Sequence, residues 1–238
     1  GASGAVTAAY TIEQSCRFND DDTAYLKRTP LVAGNRRTWT WSAWVKRGNI
    51  SSGAVMHLFN ASDASPGGND DWYYINILTT DEIQTGTWST VYRKTTAKYR
   101  DPGAWYHIVV GFDSTQPVAA DRLKLYVNGE QVTVFTTDNA VTQNQEVAVN
   151  DTVGHSLGRR QDNNTLHFDG YMADVHFIDG AQLAATSFGE TDDNGQWVPI
   201  EYAGTDGADV ALSFVAAGDD PTNSLADYSG KFDGFSIG

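Results

Sequence analysis

The sequence predicts an all-β protein, a two-sheet antiparallel jelly-roll sandwich with one short helix near the C-terminal part of the chain. Three observations support this fold class. Short runs of aromatic and β-branched residues with a period of two recur along the chain, an Asn-Gly pair separates two of these runs, and strand-like segments never alternate with long helical ones. The last observation argues against an α/β fold.

The clearest strand is "TWTWSAWVKR", residues 38–47. Its alternation assigns the side chains to two faces: Trp39, Trp41, Ala43 and Val45 on one, and Thr40, Ser42, Trp44 and Lys46 on the other. The first set is the more apolar, so we expect it to face the core.

Asn128-Gly129, between "LKLYV" and "EQVTVF", predicts a β-hairpin. Both central positions of a type I′ turn need a positive φ, which Asn and Gly adopt most easily. Further strand-like runs are "VMHLF", "WYYINIL" and "WYHIVVGF". Only "GAQLAATSF" has helical character, and it can hold about two turns.

Composition and charge limit the possible partners. The 238 residues fit one domain, because no linker-like tract divides them; residues 1–10 are predicted to be a mobile arm and 11–238 a single domain. The net charge of −14 disfavours nucleic acid and anionic membrane surfaces as partners. No apolar run is long enough for membrane insertion.

Three segments, in order, resemble the laminin-G-like branch of the concanavalin A-like lectin/glucanase jelly rolls. They are "RRTWTWSAWVKRG", "AWYHIVVGFDSTQ" with "LKLYVNGEQV", and "LGRRQDNNTLHFDGYMADVHFIDGAQL". The resemblance extends over roughly residues 16–190. It implies the sandwich fold and a recognition role.

Two further segments resemble jelly-roll modules encoded by tailed bacteriophages. These are "CRFNDDDTAYLKRTPLVAGNRRTWTWSAWVKRG" and "SFGETDDNGQWVPIEYAG". This resemblance implies a protein of the virion surface, such as a fibre, spike or decoration protein, with other virion proteins as partners and a homo-oligomeric state. It also implies that residues 191–238 form a C-terminal extension packed on the domain.

Several motifs resemble catalytic sites, and each lacks a necessary part. "GHSLG" places Ser156 in a nucleophile-elbow pattern, but a loop-like sequence follows where a helix is needed. Asp81 and Glu82 are adjacent, so in a strand their side chains point to opposite faces. The segment "ETDDNG" lacks the final Glu of the glucanase motif. We therefore predict no catalytic residues and no enzymatic activity.

The acidic segments raise the question of a metal. "ETDDNGQWVPIE" approaches a calcium-loop pattern, but Pro199 prevents an exiting helix, so a solvated turn anchored by Trp197 is favoured. Asp169, Asp174 and Asp179 are interpreted as structural residues at the margins of a strand. No cofactor is required; calcium remains an optional ligand without assigned residues.

Carbohydrate binding is the chemistry that the sequence favours. Saccharide sites combine aromatic rings with carboxylate and amide groups, and the segments "NDDWYYIN" and "TGTWSTVYRK" contain all of these. The predicted carbohydrate-binding residues are Asp70, Asp71, Trp72, Tyr73, Trp88 and Tyr92, with Trp88 and Tyr92 expected on one strand face. The alternative is that these rings fill the core.

The predicted function is a non-catalytic phage virion module that binds cell-surface glycan of the host. The first alternative is a purely structural decoration or assembly protein that contacts other virion subunits. A glycan-degrading enzyme is the third, because the carboxylate pair that it needs is not evident.

Overall fold

A computed structural model describes residues 10–50, 53–204 and, for the backbone, 236–237. The described residues form short antiparallel strands with two one-turn 3₁₀ helices, Ala119–Asp121 and Ala185–Ser187. The strands are β1 (Cys16–Phe18), β2 (Leu26–Arg28), β3 (Thr38–Arg47), β4 (Met56–Ser62), β5 (Trp72–Ile77), β6 (Ile83–Gly86), β7 (Val91–Thr95), β8 (Tyr106–Asp113), β9 (Leu123–Val127), β10 (Glu130–Gln131), β11 (Phe135–Asp138), β12 (Gly154–Leu157), β13 (Gly170–Asp179), β14 (Gly189–Thr191), β15 (Trp197–Pro199) and β16 (Ser236–Ile237). No described helix is long and apolar enough to cross a bilayer.

Two large sheets form the sandwich. The six-stranded sheet has the order β1-β13-β3-β8-β9-β10, and the eight-stranded sheet has the order β11-β7-β6-β5-β4-β12-β2-β16. A third, two-stranded sheet pairs β14 with β15. The predicted all-β jelly-roll sandwich is confirmed. The predicted two-turn helix in "GAQLAATSF" is wrong in extent, because this segment forms the single 3₁₀ turn Ala185–Ser187.

The core between the sheets contains the side chains that the alternation of β3 assigned to it. Trp39, Trp41, Ala43 and Val45 are at most 1% exposed. Trp39 stacks on Phe112 of its own sheet and meets Tyr73 of the opposite sheet edge-on, with ring centroids 5.1 and 4.9 Å apart. An indole buried this way contributes on the order of 5 kcal/mol of transfer free energy.

The outer face of the six-stranded sheet is covered as well. Residues 181–202 cross it and form a second apolar cluster, in which Trp197 and Tyr202 pack near Val109, Tyr126 and Phe188. On this face Thr40, Ser42 and Trp44 of β3 are therefore buried, whereas Lys46 is partly exposed. Of the predicted C-terminal extension 191–238, residues 205–235 and 238 lie outside the described part of the chain, as do residues 1–9 of the predicted arm.

The Asn-Gly hairpin has the predicted backbone. Asn128 and Gly129 have φ values of 50° and 85°, and Val127 pairs with Glu130 across the turn. The indole of Trp197 packs directly against Gly129, where a Cβ atom would overlap it. The turn thus needs Gly for its backbone conformation and for its contact with the covering segment.

Candidate functional site

Trp88 is the most exposed aromatic residue near the predicted sugar site. It lies in the loop between β6 and β7 and is 47% exposed, so its predicted position on a strand is wrong. The side chains of Thr87 and Ser89 donate hydrogen bonds to Oδ1 of Asn69 at 2.7 and 2.8 Å. Asn69 therefore fixes the conformation of the Trp88 loop, a role that the sequence does not reveal.

Trp72 packs against Trp88. It lies on β5 with its side chain on the outer face of the eight-stranded sheet, and it is only 4% exposed. The two indoles meet edge to face with centroids 5.3 Å apart. The guanidinium of Arg160 lies 4.8 Å from the Trp72 centroid and 5.7 Å from that of Trp88. We call Trp72, Trp88 and Arg160 the tryptophan platform.

Arg160 reaches the platform from the loop between β12 and β13. Asp162 holds its guanidinium with two hydrogen bonds, at 2.7 and 2.8 Å. The backbone N–H of Gln161 donates to Oδ1 of Asn60 on β4 at 2.7 Å, which ties this loop to the outer face of the sheet. The loop "RRQDNNT" is distant from Trp72 in sequence, and only the order β5-β4-β12 brings the two together.

The two predicted carboxylates precede Trp72 directly. Asp70 is exposed, and its backbone carbonyl accepts a hydrogen bond from Arg36 at 2.7 Å. Asp71 is half-buried, and its carboxylate accepts the N–H of Gly67 at 3.4 Å. Carboxylate oxygens are suited to accept hydrogen bonds from hydroxyl groups.

The structure places Tyr73 and Tyr92 in the core, at 0% and 2% exposure, so their prediction as ligand-contacting residues is wrong. The reason is the strand period: Tyr73 follows Trp72 and so points to the opposite face of β5. Its hydroxyl accepts a hydrogen bond from Thr85 at 2.8 Å. Burial raises the pKa of both tyrosines above its ordinary value.

The nucleophile-elbow pattern around Ser156 is a strand. Ser156 lies within β12, pairs with Asn60 and Lys27 on the two neighbouring strands and is 1% exposed. Its hydroxyl donates to the side chain of Gln161 and accepts from Arg159. A buried strand position of this kind does not present a serine hydroxyl to a substrate.

A serine–histidine pair does occur on the outer face of the six-stranded sheet. Ser42 Oγ and His107 Nε2 are 2.9 Å apart, and the indole N–H of Trp197 donates to His107 Nδ1 at 3.0 Å. Because the indole is only a donor, Nδ1 must accept, and Nε2 must therefore donate its proton to Ser42. The histidine thus cannot take a proton from this serine, which is the reverse of nucleophile activation.

The three aspartates of the β13 region have separate partners. Asp169 pairs with Arg17 at 2.6 Å, Asp174 accepts the hydroxyl of Tyr10 at 3.1 Å and lies 2.9 Å from His176, and Asp179 accepts the side-chain amide of Asn150 at 2.8 Å. These contacts agree with the structural interpretation of the trio.

The other candidate carboxylates are also engaged in structural contacts. Asp81 pairs with the buried Arg47 at 2.8 Å, and Glu82 lies 3.7 Å from Lys98. "ETDDNG" forms the β14–β15 turn, where Asp192 accepts the N–H of Gln196 at 2.7 Å. Within the described ranges, no three His, Cys, Asp or Glu side chains form a group suited to a metal ion.

Comparison with known proteins agrees with this architecture. A family profile described as the concanavalin A-like lectin/glucanases superfamily matches residues 19–186. A search of curated protein sequences found no match.

Among solved structures, the chain is similar to a putative carbohydrate-binding protein of Bacteroides ovatus, with 13% identity and a TM-score of 0.58. This match covers 96% of the present chain and 60% of the other. A sialidase of Streptococcus pneumoniae matches at 14% identity and a TM-score of 0.51, over 78% of the present chain and 30% of the other. The present chain thus spans only part of either protein. Since the family profile matches well over half of its length, the chain belongs to the concanavalin A-like lectin/glucanase superfamily.

Proposed function

We propose that this protein is a non-catalytic carbohydrate-binding module whose ligand stacks on Trp88. One observation carries the proposal: an indole that is 47% exposed is held in a fixed orientation on the outer face of the eight-stranded sheet. Apolar surface of this kind is costly to leave in water, and the apolar face of a pyranose ring is a partner of matching size.

The surroundings of Trp88 support this ligand class. Trp72 and Arg160 hold the indole from one side, so little conformational entropy is lost when a ligand binds. Asp70 and Asp71, which directly precede Trp72 in the chain, carry carboxylates that can accept hydrogen bonds from sugar hydroxyls. The superfamily and the similarity to a putative carbohydrate-binding protein are consistent with this function.

The test is glycan-array binding of the full chain, followed by calorimetry with the best ligand. Trp88→Ala should weaken binding at least ~10-fold, equivalent to the loss of one aromatic contact. It should lower the unfolding free energy by only about 1–2 kcal/mol and leave the protein folded, because about half of the indole is exposed and the rest packs on Trp72 and Arg160. Trp72→Ala is the weaker test, since removal of a buried indole also destabilises the fold.

We further propose that the glycan lies on a host cell and that the module is displayed on the surface of a phage virion, as a homo-oligomer in contact with other virion proteins. The support is the likeness of the segments at 16–48 and 187–204 to phage-encoded modules. Immunogold labelling of intact virions with an antibody to the purified domain tests the location. Labelling of virions is the expected result, and its absence would contradict it.

The structural alternative, a decoration or assembly protein, is favoured by one observation. Leu31 and Val32 are 86% and 80% exposed in the loop between β2 and β3. Adjacent exposed apolar side chains are typical of a subunit contact. If Leu31→Ser/Val32→Ser disrupts assembly while no glycan binds the native chain, the structural function replaces the carbohydrate-binding one.

A further inference from the structure

A cavity lies over the outer face of the six-stranded sheet, on the opposite side of the sandwich from the tryptophan platform. Its volume is about 500 Å³. Residues 10–15 form one wall, and the β14–β15 hairpin forms another. Trp44 and Trp105 supply two indole rings to the lining. The size is that of a small-molecule or side-chain site.

The charged side chains that line this cavity are all acidic. Glu13, Glu190 and Asp192 line it, and no Lys, Arg or His does. Neither glutamate side chain has an ion-pair or hydrogen-bond partner in the part of the chain that the structure describes, although the backbone of Glu190 pairs with Val198. Asp192 accepts backbone hydrogen bonds from Gln196 and others in the turn, which lower the pKa of its carboxyl and keep it ionised. The cavity therefore presents three carboxylates that lack a counter-cation.

Trp44 adds an independent observation. It lines the cavity, it is 8% exposed, and its indole N–H has no hydrogen-bond partner among the described residues. A buried donor without an acceptor is uncommon in folded proteins, because it costs about 1–3 kcal/mol of desolvation free energy. The lining thus contains an unused donor as well as unused acceptors.

We propose that this cavity binds an arginine side chain presented by a partner protein. A guanidinium is planar and weakly hydrated, so it stacks on an indole face more readily than an ammonium does. Trp105 is only partly buried and offers such a face, whereas Trp44 is 8% exposed and already stacks on His107. Its five N–H donors can bind carboxylates, and those of the exposed Glu13 and Glu190 are available at the lining. The indole N–H of Trp44 needs an acceptor, which a guanidinium lacks. A backbone carbonyl beside the arginine supplies one, so an arginine within a polypeptide fits better than free guanidine.

The experiment uses two blocked amino acids, N-acetyl-argininamide and N-acetyl-citrullinamide. Their side chains have nearly the same shape, but the guanidinium of the first is charged and the ureido group of the second is neutral. Binding to the full ¹⁵N-labelled chain is followed through the indole N–H signals, with Trp44→Phe and Trp105→Phe identifying their resonances. We expect the arginine probe to shift both signals, and the citrulline probe to bind at least ~10-fold more weakly.

Charge variants complete the test. Glu13→Gln/Glu190→Gln should weaken binding of the arginine probe at least ~10-fold, whereas Glu130→Gln on the edge strand β10 should not change it. Trp88→Ala should leave arginine binding intact, which separates this cavity from the glycan surface. Equal binding of the two probes, no shift of the Trp44 and Trp105 signals, or full binding by the double variant would each overturn the proposal.

Discussion

Acid should destabilise this protein well before its carboxylates are protonated, because three histidines are buried in the neutral form. His57, His107 and His155 are 3%, 1% and 8% exposed. Burial lowers their pKa values from 6.5 to about 3, about 3 and about 4, respectively. For His57, the nearby charge of Arg160 lowers the pKa further in the same direction.

Hydrogen bonding explains why two of these rings resist protonation. The indole N–H of Trp197 donates into His107 Nδ1, and the backbone N–H of Asn150 donates into His155 Nε2 at 2.9 Å. A proton on either acceptor nitrogen would face another donor. Protonation therefore requires loss of a buried hydrogen bond as well as burial of a charge.

The sign and size of the effect follow from these pKa values. Each folded-state pKa lies below the unfolded value, so the unfolded chain binds more protons and stability falls as the pH drops below 6.5. At pH 5.0 each histidine favours unfolding by about 2 kcal/mol, or about 6 kcal/mol for all three. This is comparable with the whole stability of a typical domain, about 5–15 kcal/mol.

Urea unfolding at pH 7.5 and 5.0 measures this difference. The carboxylates with lowered pKa values, Glu82, Asp113 and Asp192, contribute only at lower pH, where their unfolded forms begin to bind protons. His107→Gln should reduce the difference to about 4 kcal/mol, and Val134→Ala, at an exposed position, should leave it unchanged. Equal stability at the two pH values would show that burial does not lower the pKa values of these histidines.

Two further predictions concern loop positions. Gly129→Ala places a Cβ atom against Trp197 at a φ of 85°, so it should lower the unfolding free energy measured in urea by about 2–3 kcal/mol. Gly67→Ala is the control and should have little effect on this free energy, because the space around Gly67 is open. Equal stabilities of the two variants would contradict the prediction. Asn69→Ala removes the acceptor that holds the Trp88 loop, so it should weaken glycan binding about tenfold in calorimetry, with little change in melting temperature. Unchanged affinity would show that the Trp88 loop does not need this acceptor.

The sandwich could be predicted because its signals are local. The alternation in β3 identified Trp39 and Trp41 as core residues, and Asn128-Gly129 identified the hairpin. The same period of two, applied to β5, separates Trp72 from Tyr73 and would have removed Tyr73 from the site. Each of these inferences needs only neighbouring residues and backbone geometry.

The covering layer and the site could not be predicted, because they depend on contacts between distant segments. Ser42 resembles a solvent-facing strand residue, yet the segment 181–202 buries it. Arg160 joins Trp72 only through the strand order of the eight-stranded sheet. A periodic pattern shows which face a side chain occupies but not what covers that face.

Calorimetric titration of the best array glycan into the native chain and into Trp88→Ala, with calcium and then with chelator, decides whether Trp88 binds carbohydrate. We expect saturable binding by the native chain, a loss of at least ~10-fold in affinity on substitution, and a folded variant whose unfolding free energy is lower by no more than about 2 kcal/mol. Calcium dependence would add an ion to the site without removing Trp88 from it. If Trp88→Ala keeps the native affinity, or if the native chain binds no glycan, the proposed carbohydrate-binding function of Trp88 is contradicted.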